Sequence, residues 1–220
     1  MEDRKNKKAA GFSLIELLIA MTIMLVIMGL AVNLFSKSLN TRQRESSRTD
    51  ALTAAQSALN VISREIANSG YGLLDNGVVY SNSGKEKLHF LSNIKNNNNV
   101  ITDPGENITY FFDSNTESIL RYDANGIENA DGTTSPQTSI IINRISKVEF
   151  QYFDYLNSTL SPPPPQPAPT YTPTVNTGRI RVKITVALEN VQGQINSQSK
   201  NVVLVSDITL RNSDYMLQQY

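Results

Sequence analysis

The chain of 220 residues contains no cysteine and no tryptophan, and His89 is its one histidine. The lack of cysteine excludes a disulfide scaffold, a thiolate zinc site, a cysteine nucleophile and a lipoprotein anchor. The sequence also contains no G-x-S-x-G, P-loop or zinc-binding pattern. His89 stands in an alternating, strand-like stretch, which indicates a surface or edge residue rather than a general base. The sequence therefore predicts a protein that is not an enzyme and that has no cofactor.

Neither sign of charge is in excess, because 20 basic residues balance 20 acidic ones. This balance gives no indication of binding to nucleic acid or to an anionic surface. Basic residues do form two local clusters. They are Arg42, Arg44 and Arg48, and Arg179, Arg181 and Lys183. We interpret the first cluster as a juxtamembrane anchor and the second as the solvated face of a strand, with contacts to DNA phosphates as the alternative.

Proline is absent before Pro104, and an apolar run covers residues 12–35. After Ser13, only Glu16, Thr22 and Asn33 interrupt this run. As a helix of about 36 Å it is long enough to cross a bilayer. A short basic segment precedes it and ends at Gly11, a small residue of the kind found at processing sites. An ordinary secretory signal is cut after its apolar run. A cut after Gly11 would instead leave the apolar run on the mature protein.

The helix is predicted to continue beyond the apolar run, over residues 36–70. One apolar stripe follows helical spacing, and its members are Leu52, Ala55, Leu59, Ile62 and Ile66. This spacing is typical of an amphipathic helix. We expect the helix to end at Asn68-Ser69-Gly70, where glycine can adopt a left-handed conformation. The whole helix would contain about 55 residues and measure about 80 Å.

Residues 71–220 are predicted to form an antiparallel sheet that packs on this helix. The clearest strand is Arg179 to Leu188, in which apolar and polar side chains alternate. Further strands are predicted at residues 87–91, 107–113, 118–123, 139–143, 147–155 and 200–210. A proline-rich loop covers residues 161–173. One long helix on an antiparallel sheet belongs to the α+β class.

Carboxylate and amide oxygens near the middle of the chain are weak candidates for a calcium site. They belong to Asp123, Asn125 and Asp131. Their spacing does not fit an EF-hand, in which glycine occupies the sixth position of the loop. Glu128 stands at that position here. We interpret these residues as turn formers and predict no metal site.

The stretch Gly11-Phe12-Ser13-Leu14-Ile15-Glu16-Leu17 resembles the class III signal of type IV prepilins and type II secretion pseudopilins. In those families a membrane-embedded prepilin peptidase cuts after the glycine on the cytoplasmic side and methylates the new amino terminus. The resemblance implies that residues 1–11 are a leader peptide, that the cut lies between Gly11 and Phe12, and that Phe12 is N-methylated. Glu16 would be the glutamate at the fifth mature position, which attracts the amino terminus of a neighbouring subunit during assembly.

Three other segments resemble the PilW-type minor pilins. They are residues 59–72, 145–152 and 179–184. The resemblance implies the type IV pilin fold, in which the first half of the long helix spans the membrane. J-type pseudopilins of type II secretion share the signal and the general plan, and they are close competitors.

These resemblances imply a minor pilin that takes part in type IV pilus assembly, in the initiation or tip complex. The alternatives are a minor pseudopilin of a type II secretion system and a pilus-associated adhesin or DNA-uptake module. The implied partners are the prepilin peptidase, other minor pilins, the major pilin and the assembly platform. The implied location is the inner or cytoplasmic membrane, crossed once with the N-terminus in the cytoplasm and the head outside, and then the pilus.

Overall fold

The computed structural model describes residues 11–95, 100–154, 169–187 and 201–212. A long helix, α1 (Leu14–Ala67), is followed by a short 3-10 turn at Tyr80–Asn82 and then by strands. The described strands are β1 (Lys87–Leu91), β2 (Asn107–Asp113), β3 (Ser118–Glu128), β4 (Thr134–Ile142), β5 (Ile145–Asp154), β6 (Thr177–Ala187) and β7 (Asn201–Thr209). All the pairings among them are antiparallel. The predicted α+β class is confirmed, and the architecture is consistent with the type IV pilin fold.

The chain divides into two compact units, Met1–Ser47 and Arg48–Tyr220. The described part of the first unit consists of residues 11–13 and the part of α1 that ends at Ser47, and this part includes the apolar half of the helix, residues 14–35. The second unit contains the remainder of α1 and all the strands.

Helix α1 ends where the sequence predicts, because glycine follows its last turn. Backbone bonds from Asn68 to Glu65 (3.1 Å) and from Ser69 to Ile66 (2.9 Å) tighten this end, and Gly70 then adopts a φ of 77°. A left-handed residue just beyond a helix stops it and redirects the chain.

The strands form two sheets rather than the single sheet that the sequence predicts. The first sheet has the order β1-β2-β3-β4 and the second has the order β5-β6-β7. The segment before β1 lies between them, since the Lys85 carbonyl accepts a bond from the Phe150 N–H (2.7 Å). The Tyr152 hydroxyl also donates to the Gly84 carbonyl (2.9 Å). Because this segment occupies the edge of β5, β1 and β5 do not pair directly.

Strand β3 extends further than predicted, through a segment whose composition is typical of a turn. The register between β3 and β4 shifts between Asp123 and Ile127, so Ala124 to Gly126 form a bulge inside the strand. A Cβ on Gly126 would lie 2.6 Å from the Gln137 Cβ. Glycine is therefore needed where the two strands approach closely. The turn itself lies at Asp131-Gly132, where Gly132 has a φ of 80°.

The core of the second unit lies between α1 and both sheets. Four of the five predicted stripe residues of the helix are buried, and the fifth, Leu52, is half-buried. Ala58 is buried beside them. Leu88, Phe90 and Tyr110 of the first sheet belong to the same cluster. The alternation predicted for β6 is confirmed, and its buried members are Ile180, Val182, Ile184 and Val186.

The loop after α1 is fixed by close backbone contacts. Gly77 has a φ of 71°, and a Cβ placed there would lie 2.2 Å from the Gly70 nitrogen and 2.3 Å from the Leu91 carbonyl oxygen. The buried Asn76 amide donates to the carbonyls of Thr174, Val175 and Thr177 at 2.9–3.2 Å. This side chain thus joins the loop to the start of β6.

Candidate functional site

The predicted processing site lies just before α1. Gly11, Phe12 and Ser13 have no regular secondary structure, and all three are exposed. The first helical bond of this region runs from the Leu17 N–H to the Ser13 carbonyl (3.1 Å). The peptide bond between Gly11 and Phe12 therefore lies outside the helix, in a segment that a peptidase can bind in extended form.

The apolar half of α1 is exposed on every side. Its large apolar side chains, from Phe12 to Phe35, are each at least 52% exposed. Within the described ranges, α1 is the one helix that is long and apolar enough to cross a membrane. Burial of each such side chain in an apolar environment contributes about 1.5–3 kcal/mol. This surface is therefore suited to lipid, or to the apolar surface of another helix.

Glu16 lies in the first turn of α1 and is the one charged residue between Phe12 and Phe35. Its exposed carboxylate has no hydrogen-bond or ion-pair partner among the residues that the structure describes. The positive end of the helix dipole favours an acidic side chain at this position. At the centre of a bilayer, however, a carboxylate costs about 2.5–3.5 kcal/mol. Glu16 is thus available for a cationic partner supplied from outside the helix.

The two uncharged polar residues of the apolar half bind to the helix itself. The Thr22 hydroxyl donates to the Ile19 carbonyl (2.8 Å), and the Asn33 amide donates to the Gly29 carbonyl (3.4 Å). Such bonds to the preceding turn reduce the cost of a polar group in lipid. Neither Gly29 nor Asn33 interrupts α1.

A polar cluster joins the end of α1 to the first sheet, and no sequence pattern predicted it. The Tyr110 hydroxyl donates to the Glu65 carboxylate (2.6 Å), and the Arg121 Nε donates to the same oxygen (3.0 Å). The Arg121 Nη1 also donates to Asp123 (3.3 Å). Burial and the negative charge of Glu65 raise the pKa of Tyr110 well above its usual range. The one signal in the sequence was the polar Glu65 beside the apolar stripe.

The side-chain oxygens of the three weak calcium candidates accept hydrogen bonds from within the protein. The Asp123 carboxylate accepts bonds from the N–H groups of Gly105 (2.8 Å) and Asn125 (3.1 Å), and the Asn125 oxygen accepts one from the Thr134 hydroxyl (3.3 Å). Asp131 lies in the β3–β4 turn, where its carboxylate accepts the Thr133 hydroxyl (2.6 Å). Hydrogen-bond donors of the protein itself therefore contact these oxygens. No group of three or more His, Cys, Asp or Glu side chains that could hold a metal ion occurs among the described residues.

His89 and the basic strand face are also engaged in local contacts. The His89 Nε2 lies 2.8 Å from the Asn107 oxygen, and its Nδ1 lies 3.0 Å from the Asn82 amide. Arg181 forms two bonds with Asp207 (2.7 and 2.8 Å), and the guanidinium carbon of Arg179 lies 4.1 Å from the centre of the Phe153 ring. These contacts favour a structural role for both arginines. Residues 161–168 of the proline-rich loop lie outside the described ranges.

Residues 6–32 match the family described as the prokaryotic N-terminal methylation motif. This range contains Gly11, Phe12 and Glu16. The match supports a subunit of pilin or pseudopilin type that is processed by a prepilin peptidase and anchored by a single membrane span. It does not separate pilins from pseudopilins. No curated protein and no solved structure matches the chain.

Proposed function

We propose that this chain is a minor pilin, which takes part in type IV pilus assembly within the initiation or tip complex. The observation that carries the proposal is the N-terminal methylation motif directly before an exposed apolar helix with a single carboxylate, Glu16. An apolar helix that stays on the mature protein serves as a membrane anchor first and as a packing surface afterwards.

The proposed mechanism is assembly rather than catalysis. Cleavage after Gly11 leaves a positively charged amino group on Phe12. In the membrane the apolar half of α1 packs against lipid, and in the filament it packs against the helices of neighbouring subunits. The Glu16 carboxylate attracts the amino group of a neighbour, because an opposite charge compensates a carboxylate that has left water. The head remains outside the membrane and makes the contacts specific to this subunit.

The PilW-type resemblance supports the choice of a minor pilin. The resembling segments correspond to the end of α1 and to parts of β5 and β6, which are joined in one core. These segments therefore contribute to the framework of the head.

Deletion of the gene tests the proposal against a tip pseudopilin of type II secretion. For a minor pilin we expect a loss of surface pili with secretion of exoproteins unchanged. As a control for processing, we expect the wild-type chain to restore surface pili and a chain altered at Gly11 not to restore them. Loss of secretion with normal pili would instead assign the chain to the secretion system and overturn the proposal.

A further inference from the structure

A charged residue lies near each end of the apolar half of α1. Glu16 is in the first turn of the helix, and Lys37 is the first charged residue after Phe35. These two residues are 21 positions apart, which corresponds to about 31 Å along a helix. The hydrocarbon core of a bilayer is about 30 Å thick. A bilayer around this helix would therefore place Glu16 at one boundary of the hydrocarbon core and Lys37 at the other.

Three cations follow one another from this second boundary onwards. They are Lys37, Arg42 and Arg44, and Glu45 is the one acidic residue of the same stretch, residues 36–47. All three cations are exposed, and none of them forms an ion pair with a residue that the structure describes. Lys37 and Arg44 are two helical turns apart and thus share one face of α1. The charges of this cluster are therefore available to a partner outside the chain.

The depth of the three cations identifies the anions that surround them. Arg42 and Arg44 lie about 7.5 and 10.5 Å beyond Lys37 along the helix axis. The polar headgroup layer on each side of a bilayer is about 5–8 Å thick. Long basic side chains extend along a helix so that their charged ends reach the polar layer. The charged groups of all three residues are therefore within reach of the lipid phosphates.

The cluster favours headgroups that carry a net negative charge. A zwitterionic headgroup has an ammonium group beside its phosphate, and this group repels the three cations. An anionic headgroup, such as that of phosphatidylglycerol, has no such ammonium. Arginine binds phosphate oxygens through two parallel hydrogen bonds, and lysine binds them as a point charge. Each basic residue near an anionic membrane surface strengthens the association about fivefold.

We propose that the cationic cluster, Lys37, Arg42 and Arg44, is a binding site for the headgroups of anionic phospholipids. The site fixes the depth of α1 in the membrane and enriches anionic lipid around the end of the apolar half. This inference rests on the membrane span and not on the choice of a minor pilin, because a pseudopilin with this helix would show the same preference.

The absence of tryptophan allows a local test on the full chain in vesicles. Leu39→Trp places a single fluorophore between Lys37 and Arg42, at a position that is 49% exposed. The vesicles contain equal parts of phosphatidylglycerol and phosphatidylcholine, and one of the two lipids has brominated acyl chains, which quench the fluorescence of a tryptophan that they contact. Exchanging the brominated lipid gives the association constant of phosphatidylglycerol relative to phosphatidylcholine. We expect a preference of about tenfold for phosphatidylglycerol, reduced at high salt.

Two triple variants of the Leu39→Trp chain show whether the cluster causes this preference. The first removes the cluster and should abolish the preference: Lys37→Gln, Arg42→Gln and Arg44→Gln. The matched control removes the same charge from three exposed lysines of the second unit and should keep the preference: Lys85→Gln, Lys87→Gln and Lys95→Gln.

The inference is overturned if the Leu39→Trp chain shows no preference for phosphatidylglycerol, a result that would assign the cations to an acidic protein partner instead. It is also overturned if the first triple variant retains the preference, or if the control variant loses it to the same extent.

Discussion

The Tyr110 hydroxyl donates a 2.6 Å hydrogen bond to the Glu65 carboxylate, which joins the end of α1 to the second strand of the first sheet. Tyr110 is fully buried, and Arg121 contacts the same carboxylate oxygen from the next strand. The bond therefore has a charged acceptor in a largely dry environment, where hydrogen bonds are strong and unpaired polar groups are costly.

Tyr110→Phe tests how much this hydrogen bond contributes to the stability of the folded protein. We expect the free energy of unfolding to fall by about 1.5–3 kcal/mol, the usual contribution of a hydrogen bond to a charged group. The measurement is a denaturant titration of the full chain in detergent, followed by near-ultraviolet circular dichroism. Tyr122→Phe is the matched control, because Tyr122 lies on the exposed face of the same sheet (36% exposed). Equal losses for the two variants would show that the bond to Glu65 adds nothing.

Alkaline pH should destabilise the head through two buried tyrosines. Burial raises the pKa of both Tyr110 and Tyr152 well above the ordinary value. Each hydroxyl therefore keeps its proton in the folded state at a pH where the unfolded chain has lost it. The stability that these groups contribute is complete below about pH 10 and decreases as the pH rises further, by up to about 1.4 kcal/mol per pH unit for each tyrosine.

Unfolding titrations between neutral pH and about pH 11, one unit above the ordinary tyrosine pKa, measure this effect. We expect the alkaline decrease to be much smaller in the double variant Tyr110→Phe, Tyr152→Phe, and unchanged in Tyr122→Phe. A decrease of the same size in the double variant would assign the effect to other groups.

Gly77→Ala should disrupt the loop after α1. The new Cβ would lie within 2.3 Å of backbone atoms of Gly70 and Leu91, and the φ of 71° disfavours any side chain. We expect a loss of about 2–4 kcal/mol in the free energy of unfolding, measured by the same titration. Gly84→Ala is the control, because open space surrounds its Cβ position. Its effect should stay below about 1 kcal/mol. An unchanged free energy of unfolding for Gly77→Ala would contradict the close contacts in this loop.

Cleavage after Gly11 can be read directly by N-terminal mass spectrometry. We expect the mature chain to begin with N-methylated Phe12, and we expect Gly11→Glu to retain Met1, because a charged residue replaces the small one at the cut. Gly29→Ala, in the middle of the apolar half, should be processed normally. An unmodified Met1 in the wild-type chain, or a cut after Ala31, would refute this assignment.

Glu16→Ala should separate processing from assembly. The variant keeps Gly11 and Phe12, so we expect normal cleavage. We also expect poor incorporation into sheared filaments, since the variant lacks the carboxylate that we propose attracts the neighbouring amino group. Thr22→Ala is the matched control, because Thr22 bonds only to its own helix. Normal incorporation of Glu16→Ala would exclude this role for the glutamate.

Features that depend on neighbours along the chain could be predicted. The helix follows from uninterrupted apolar spacing without proline, and β6 follows from the alternation of Ile180, Val182 and Ile184 with polar residues. The extension of β3 to Glu128 was missed, because Asp123 to Gly126 have the composition of a turn. Pairing with β4 and the space that Gly126 leaves for Gln137 keep this segment in the strand.

The sequence by itself determined the N-terminal signal, the apolar helix with its single carboxylate, and the α+β class, because each depends on local order and periodicity. Only the tertiary structure decided that the strands divide into two sheets and that Glu65 meets Tyr110 and Arg121. These features join residues far apart in the chain, such as Asn76 and Thr177, and side-chain packing sets such contacts. Local sequence patterns do not predict which residues far apart in the chain will be in contact.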